Sequence, residues 1–302
     1  MAKQKSFLLV GLPHAGVPVL TAALEHHRDD LEAAGVRVPA RSADEAFRAA
    51  VELRREHRAW GLRRKDVEGT WSEVCRRALK GSDKAPVVVG HELLAGAAPD
   101  EIALLVDGLA GTQVHVVVLA AGPDGRVGLF PDELDLVSVL DRWETAVGVP
   151  DRLHVVVADP GRPEESWRVL GGLVGFDADR LPLPDPGTLV APADAASLRL
   201  IAESSSMYVD HDELVALAGE WARVAARRGY DVHGDLNDLV PVRSASSTDP
   251  ARAAYDDRID ILTGALAEAV AEVGRLREQL TLLRADQAKL QRKRRRRLAA
   301  VS

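Results

Sequence analysis

Four short runs, Phe7–Val10, Pro86–Gly90, Val114–Leu119 and His154–Ala158, are apolar at nearly every position and constrain the fold more than any other feature of the chain. A strand with one wet face alternates polar and apolar residues, whereas one covered on both faces reads as a continuous, β-branched apolar run. Between the runs lie stretches with helical spacing of apolar residues: Val19–Ala34, Ala43–Arg58, Val67–Leu79, Pro99–Leu109 and Pro131–Ala146. Pro99 and Pro131 stand at first-turn positions, where the missing N–H costs nothing. Strands and helices alternating at these lengths predict an α/β domain, a three-layer, doubly wound, mainly parallel sheet. After Ala158 the pattern predicts helices only: Glu164–Val174, Ala193–Ser204 and Glu213–Arg228. Pro182, Pro184, Pro186 and Pro192 mark an irregular crossing between the first two.

The first strand runs into Gly11, Leu12, Pro13, His14, Ala15, Gly16, Val17 and Pro18, a stretch with the frame of a phosphate-binding loop. Its two glycines have the spacing of G-x-x-x-x-G-K-[ST], but Val17 stands where the lysine belongs and Pro18 where the hydroxyl belongs. Backbone N–H groups and a helix N-terminus there can face an anion. The ammonium and the hydroxyl are gone. A true ATPase is disfavoured further because no strand ends in a convincing magnesium-binding aspartate. The nearest, Asp159, reads as a cap before Pro160.

The single cysteine, Cys75, excludes a disulfide framework and a cysteine-rich zinc site, and it reads as a small residue on a helix's inner face. His26 and His27 read as solvent-facing, with no third or fourth ligand placed to hold zinc, so no metal is expected. Met1–Ser6 carries two lysines but runs directly into a six-residue strand, too short for the apolar region of a secretory signal, and no later apolar run approaches about 18 residues, so a cytoplasmic protein is expected.

Charge divides the chain into an acidic body and a basic end. From Ala251 onward there are 12 basic and 7 acidic residues, a net of +5 against −7 for all 302 residues, which leaves −12 for the rest. Pro241–Pro250 has linker composition, so the boundaries read 1–240 for the α/β domain, 241–252 for the linker and 253–298 for a coiled-coil helix with a basic end. Ile259, Leu262, Leu266, Ala269, Val273, Leu276, Leu280, Leu283, Gln287 and Leu290 alternate spacings of three and four, a heptad seam. Self-association through 259–290 is the expectation, and a helix folded back on the body is the alternative. Arg292–Arg297 is an unbroken basic run that would either stay solvated at the helix end or hold an anionic partner: nucleic acid, polyphosphate or a membrane surface. It contains no aromatic residue for base stacking.

Several segments together resemble a bacterial sulfotransferase family. They are Leu8–Pro18 followed by Ala22–Pro39, then His57-Arg-Ala-Trp60-Gly, Gly69-Thr-Trp71 and Val88-Val-Gly-His91-Glu92-Leu-Leu-Ala. Val114–Leu119, Leu140-Asp-Arg-Trp143 and Arg152-Leu-His-Val-Val156 complete the set, which spans residues 6 to 230. The resemblance implies a P-loop-like fold that moves a sulfuryl group from 3′-phosphoadenosine-5′-phosphosulfate (PAPS) to a hydroxyl or amine. It implies a loop lysine on the leaving oxygens, an arginine and a serine after the third strand on the 3′-phosphate, and a histidine or glutamate as base. His91 and Glu92, at the end of the second strand, are the candidates for that base, and each also has a structural reading, as a core hydrogen bond or a loop cap. His14 occupies the family's lysine position, Val17 and Pro18 its hydroxyl positions, and Ala120-Ala121-Gly122 the place of its arginine, with Arg126 the nearest cation.

Two functions follow. The first is a sulfotransferase-like pseudoenzyme that has lost PAPS-dependent transfer and acts as an oligomeric binding or scaffold protein. The second is an active enzyme with a non-standard donor loop, in which backbone amides, His14 and Arg126 serve PAPS or its product PAP. Sulfuryl transfer depends on positioning and charge stabilisation, so lost cations strike at its main source.

Overall fold

The computed structural model describes residues 3–13, 15–80, 84–123, 135–184 and 211–241. Five parallel strands form one sheet: β1 (Lys5–Gly11), β2 (Val87–Gly90), β3 (Gln113–Ala120), β4 (Leu153–Val157) and β5 (Asp231–His233), in the order β2-β1-β3-β4-β5. Each apolar run of the sequence lies in one of the first four, and Leu8, Leu9 and Val10 of β1 have no measurable exposure. Beyond β2, Arg37 adds a one-residue parallel bridge to Val87, donating its N–H to Pro86 O at 2.8 Å and accepting from Val88 N at 2.9 Å.

The connections are helical: α1 (Val17–His26), α2 (Arg28–Ala33), α3 (Ala43–Leu53), α4 (Arg64–Val67) and α5 (Thr70–Ala78) lie between β1 and β2. α6 (Pro99–Gly108) joins β2 to β3 and α7 (Leu136–Val147) precedes β4, while α8 (Pro163–Val174) and α9 (His211–Arg227) precede β5. Trp143 of α7, Trp167 of α8 and Trp221 of α9 are the largest fully buried side chains. Two of these indoles also tie elements together. Trp221 Nε1 donates to Asp135 Oδ1 at 2.6 Å while the other oxygen of Asp135 caps α7 through Ser138 N, and Trp167 Nε1 donates to Leu181 O at 2.6 Å.

Some expectations are corrected. The region after Ala158 is not helical throughout, because Asp231–His233 joins the sheet beside β4. Val19–Ala34 is two helices that meet at His27, and Ala43–Arg58 stops at Leu53. Val67–Leu79 is interrupted at Gly69, whose φ of 88° opens α5. Glu52 of α3 accepts there from Gly69 N and Trp71 N at 2.6 and 2.7 Å. His26 is exposed as expected, but His27 is covered: its Nε2 meets Pro182 O at 2.7 Å and its ring stacks on Trp167. Cys75 is buried, and desolvation pushes its thiol up to about 12.

Helix Ala193–Ser204, residues 242–252 of the linker, the coiled coil 253–298, Arg292–Arg297, Arg126 and His14 lie outside the described residues. No helix among the described residues is long and apolar enough to cross a membrane.

Candidate functional site

In an open parallel sheet, ligands sit beyond the carboxyl ends of the strands, where successive connections leave in opposite directions. Here that point lies between β1 and β3, since β2 is on one side of β1 and β3, β4 and β5 follow on the other. The loop after β1 is drawn tightly onto it. Leu12 N donates to Leu119 O at 2.9 Å, and Ala15 N donates to Leu12 O at 3.1 Å. Gly11 is required by this approach, because a Cβ there would lie 2.6 Å from Val17 Cγ2 and 2.9 Å from Leu119 O. Gly16 then takes φ 93° as the cap of α1, a conformation open to glycine at no steric cost.

Above the loop is a cleft of about 220 Å³. Ala15, Gly16, Pro18, Val19 and Leu20 form one wall, Leu119 the base, and Pro160, Pro163 and Ser166 the wall from β4 and α8. Among the described residues, its charged lining consists of Glu92 and Asp159. The loop residues singled out from sequence therefore divide. Ala15, Gly16 and Pro18 line the cleft, whereas Gly11, Leu12, Pro13 and Val17 are buried and absent from its lining. Val17 points into the core, so its position cannot present a side chain to an anion without repacking.

The adjacent pair His91–Glu92 is split by backbone alternation. Glu92, 6% exposed, lines the cleft. His91 does not. Its Nδ1 accepts from Leu93 N at 3.2 Å, capping a 3₁₀ turn over Glu92–Gly96, and its ring lies against Phe47. Desolvation drives its pKa down to about 4, so the ring is neutral at pH 7. The turn that carries Glu92 is braced by two arginines: Arg54 Nη1 donates to Leu93 O at 2.9 Å and Arg142 Nη2 to Ala95 O at 3.0 Å.

Asp159 is committed to its own loop. One oxygen accepts from Gly161 N and the other from Arg162 Nε, both at 2.8 Å, and these donors hold its carboxyl below the usual range. Arg162 is also paired with Glu165 at 2.7 Å.

A second constellation went unrecognised in the sequence. His115 Nδ1 meets His154 Nε2 at 2.9 Å, His154 Nδ1 meets Asp231 Oδ2 at 2.6 Å, and His233 Nε2 meets the same oxygen at 3.0 Å. The chain of groups crosses β3, β4 and β5 at the opposite end of the strands from the cleft. His115 and His154 are buried, and Phe7 of β1 packs against both rings. The available signal was a histidine inside each of two β-branched runs, where an unpartnered imidazole is costly. Its partners stood in a strand too short to recognise.

The chain matches no family model, no curated protein and no solved structure.

Proposed function

We propose that this chain is a sulfotransferase-like protein, P-loop-like in its α/β body, that no longer transfers sulfuryl groups and serves as an oligomeric binding or scaffold protein. The observation that carries this reading is the lining of the cleft. A donor bearing a 5′-phosphosulfate and a 3′-phosphate would meet Glu92 and Asp159 there, and no lysine or arginine among the described lining residues. Two like unit charges about 5 Å apart repel by roughly 3 kcal/mol at an effective dielectric near 20. None of the described lining residues offers a charge-assisted contact to phosphate, each worth about 1.5–3 kcal/mol. The described lining does not fit PAPS. The resemblance of residues 6–230 supports the ancestry, and the heptad seam at 259–290 supports assembly through the C-terminal segment. The basic run Arg292–Arg297 supplies an anion-binding end to such an assembly.

Calorimetry with 3′-phosphoadenosine-5′-phosphate tests the reading. The expected result is no heat at millimolar nucleotide. Micromolar binding that weakens on His14→Ala would overturn it in favour of an active enzyme with a non-standard donor loop.

A further inference from the structure

His154, Asp231 and His233 bring three ligand atoms within 4.8 Å of one another at the β5 end of the sheet. The geometry points to a divalent transition-metal site of the zinc type, built from His154 Nδ1, an Asp231 oxygen and His233 Nε2, with one position open to solvent. This inference is independent of the reading of the cleft, and it departs from the sequence expectation of no metal.

The donor set is the first argument. Two imidazoles and one carboxylate suit zinc and its neighbours, and three protein ligands plus a water complete a tetrahedral shell. Rigidity is the second. His154 is 5% exposed and held between neighbouring rings, so one ligand is fixed in place. The other two stand on an edge strand, with side chains 43% exposed at Asp231 and 28% at His233. Zinc bonds of about 2.0–2.1 Å place tetrahedral ligands roughly 3.3 Å apart. The present separations from Asp231 Oδ2, 2.6 Å to His154 and 3.0 Å to His233, would widen to that spacing by a few tenths of an ångström each, and the two imidazole nitrogens, which lie within 4.8 Å of each other, would draw in around the ion.

The outer hydrogen bond is the third argument. A ligating histidine ordinarily uses its other ring nitrogen to bond a fixed partner, which sets the tautomer and the ring plane. His154 has that partner in His115, at 2.9 Å from Nε2. A carboxylate only accepts, so without metal the protons lie on His154 Nδ1 and His233 Nε2, and His115 donates from Nδ1. Metal binding reverses this. His154 then carries its proton on Nε2 and donates to His115 Nδ1, the His115 proton moves to Nε2, a buried atom with no hydrogen-bond partner among the described residues, and the His233 proton moves from Nε2 to Nδ1. The pair keeps its proton count, and both rings remain neutral. Lys5 and Arg152 stand close enough to oppose added positive charge, while Asp231 and Asp151 offset them.

The bond would clip β5 to β4 across the long connection between them and so fix the strand that precedes the C-terminal segment. Chelator-treated full-length protein should bind zinc at one ion per chain, with tetrahedral cobalt absorption when Co²⁺ is substituted. Its Tm should rise by roughly 5 °C at zinc about a hundredfold above Kd. Asp231→Asn and His233→Ala, both at the exposed edge, should each weaken binding by about 100-fold or more, beyond the usual cost of losing an outer partner. His26→Ala, on an exposed histidine elsewhere, should leave it unchanged. His154→Ala risks the core, so it is not the deciding variant. Absence of binding, or binding that Asp231→Asn and His233→Ala both leave intact, would overturn the site.

Discussion

The two ends of the same strands carry opposite designs. At the carboxyl end, the loop Gly11–Pro18 keeps a close-approach glycine and a left-handed cap, but the cleft it borders offers two carboxylates. At the amino end, where a parallel sheet usually has only packing, His115, His154, Asp231 and His233 form a connected polar chain. Both ends share a face, since His115 and Leu119 are four residues apart on β3 and strand side chains alternate. Loop shape has thus been separated from charge at one end, while ionisable chemistry has gathered at the other. A ligand site inferred from fold position alone would find only the first.

Acid should break the comparison most forcefully, because each end buries a neutral histidine. Desolvation holds His91 at about 4, and desolvation with the nearby charge of His154 holds His115 at about 4. His154 is lowered too, desolvation outweighing the opposing effect of its hydrogen bond to Asp231. A histidine whose folded pKa lies below its unfolded value of about 6.5 binds fewer protons in the native state, so stability rises with pH across that interval. Stability is therefore expected to be full above about 6.5 and to fall as pH drops to about 4, by up to roughly 3 kcal/mol for each of His91 and His115. The combined loss approaches the whole stability of an ordinary domain. Urea unfolding at stepped pH measures it. His91→Asn should reduce the slope through the carboxyl end and His115→Phe through the amino end. An unchanged slope in both variants would show that neither ring is held neutral by the fold.

Gly11→Ala comes next in size. The added methyl would stand 2.9 Å from Leu119 Cβ and from its carbonyl oxygen, neither of which can rotate away. Overpacking of this kind costs about 1–3 kcal/mol. The expected result is a lower urea midpoint with an unchanged m-value. A wild-type midpoint would mean that the loop after β1 does not need its close approach to β3, and the claim of retained loop geometry would fail with it.

The sheet was legible in the sequence where burial was two-sided. β1 to β4 were readable because a strand covered on both faces must be apolar along its length. β5 was not. Its three residues are Asp231, Val232 and His233, all half-buried at the sheet's edge, and nothing in such a tripeptide separates a strand from a loop. The polar chain was lost with it, because His115 and His154 acquire meaning only once Asp231 is beside them. Helix ends were misread where distant groups decide them: Glu52, 17 residues before Gly69, caps α5, and no local pattern announces that. The cleft was half legible. Spacing located the loop, and the end of the second apolar run located the His91–Glu92 pair, of which only Glu92 lines the crevice. Which of the two does so depended on the register of β2 and on Arg54 and Arg142 reaching in from α3 and α7.

The smallest expected effect separates two obstacles an anion would meet among the described lining residues: the presence of carboxylates and the absence of lysine or arginine. Asp159→Asn removes one lining charge while leaving an oxygen that can still accept from Gly161 N. Asp159 is an exposed partner to Arg162, with 44% of its side chain accessible, so the loss of the pair should cost at most about 1 kcal/mol. If repulsion alone excludes nucleotide, the variant should bind 3′-phosphoadenosine-5′-phosphate measurably at millimolar concentration. If the missing cations decide, calorimetry should stay flat. The second outcome is expected, because removing one repulsive charge of a few kcal/mol does not replace several absent phosphate contacts of about 1.5–3 kcal/mol each. Heat from Asp159→Asn would make the acidic lining the active obstacle, and the cleft would then be an anion site closed by charge rather than one that lacks the contacts to hold an anion.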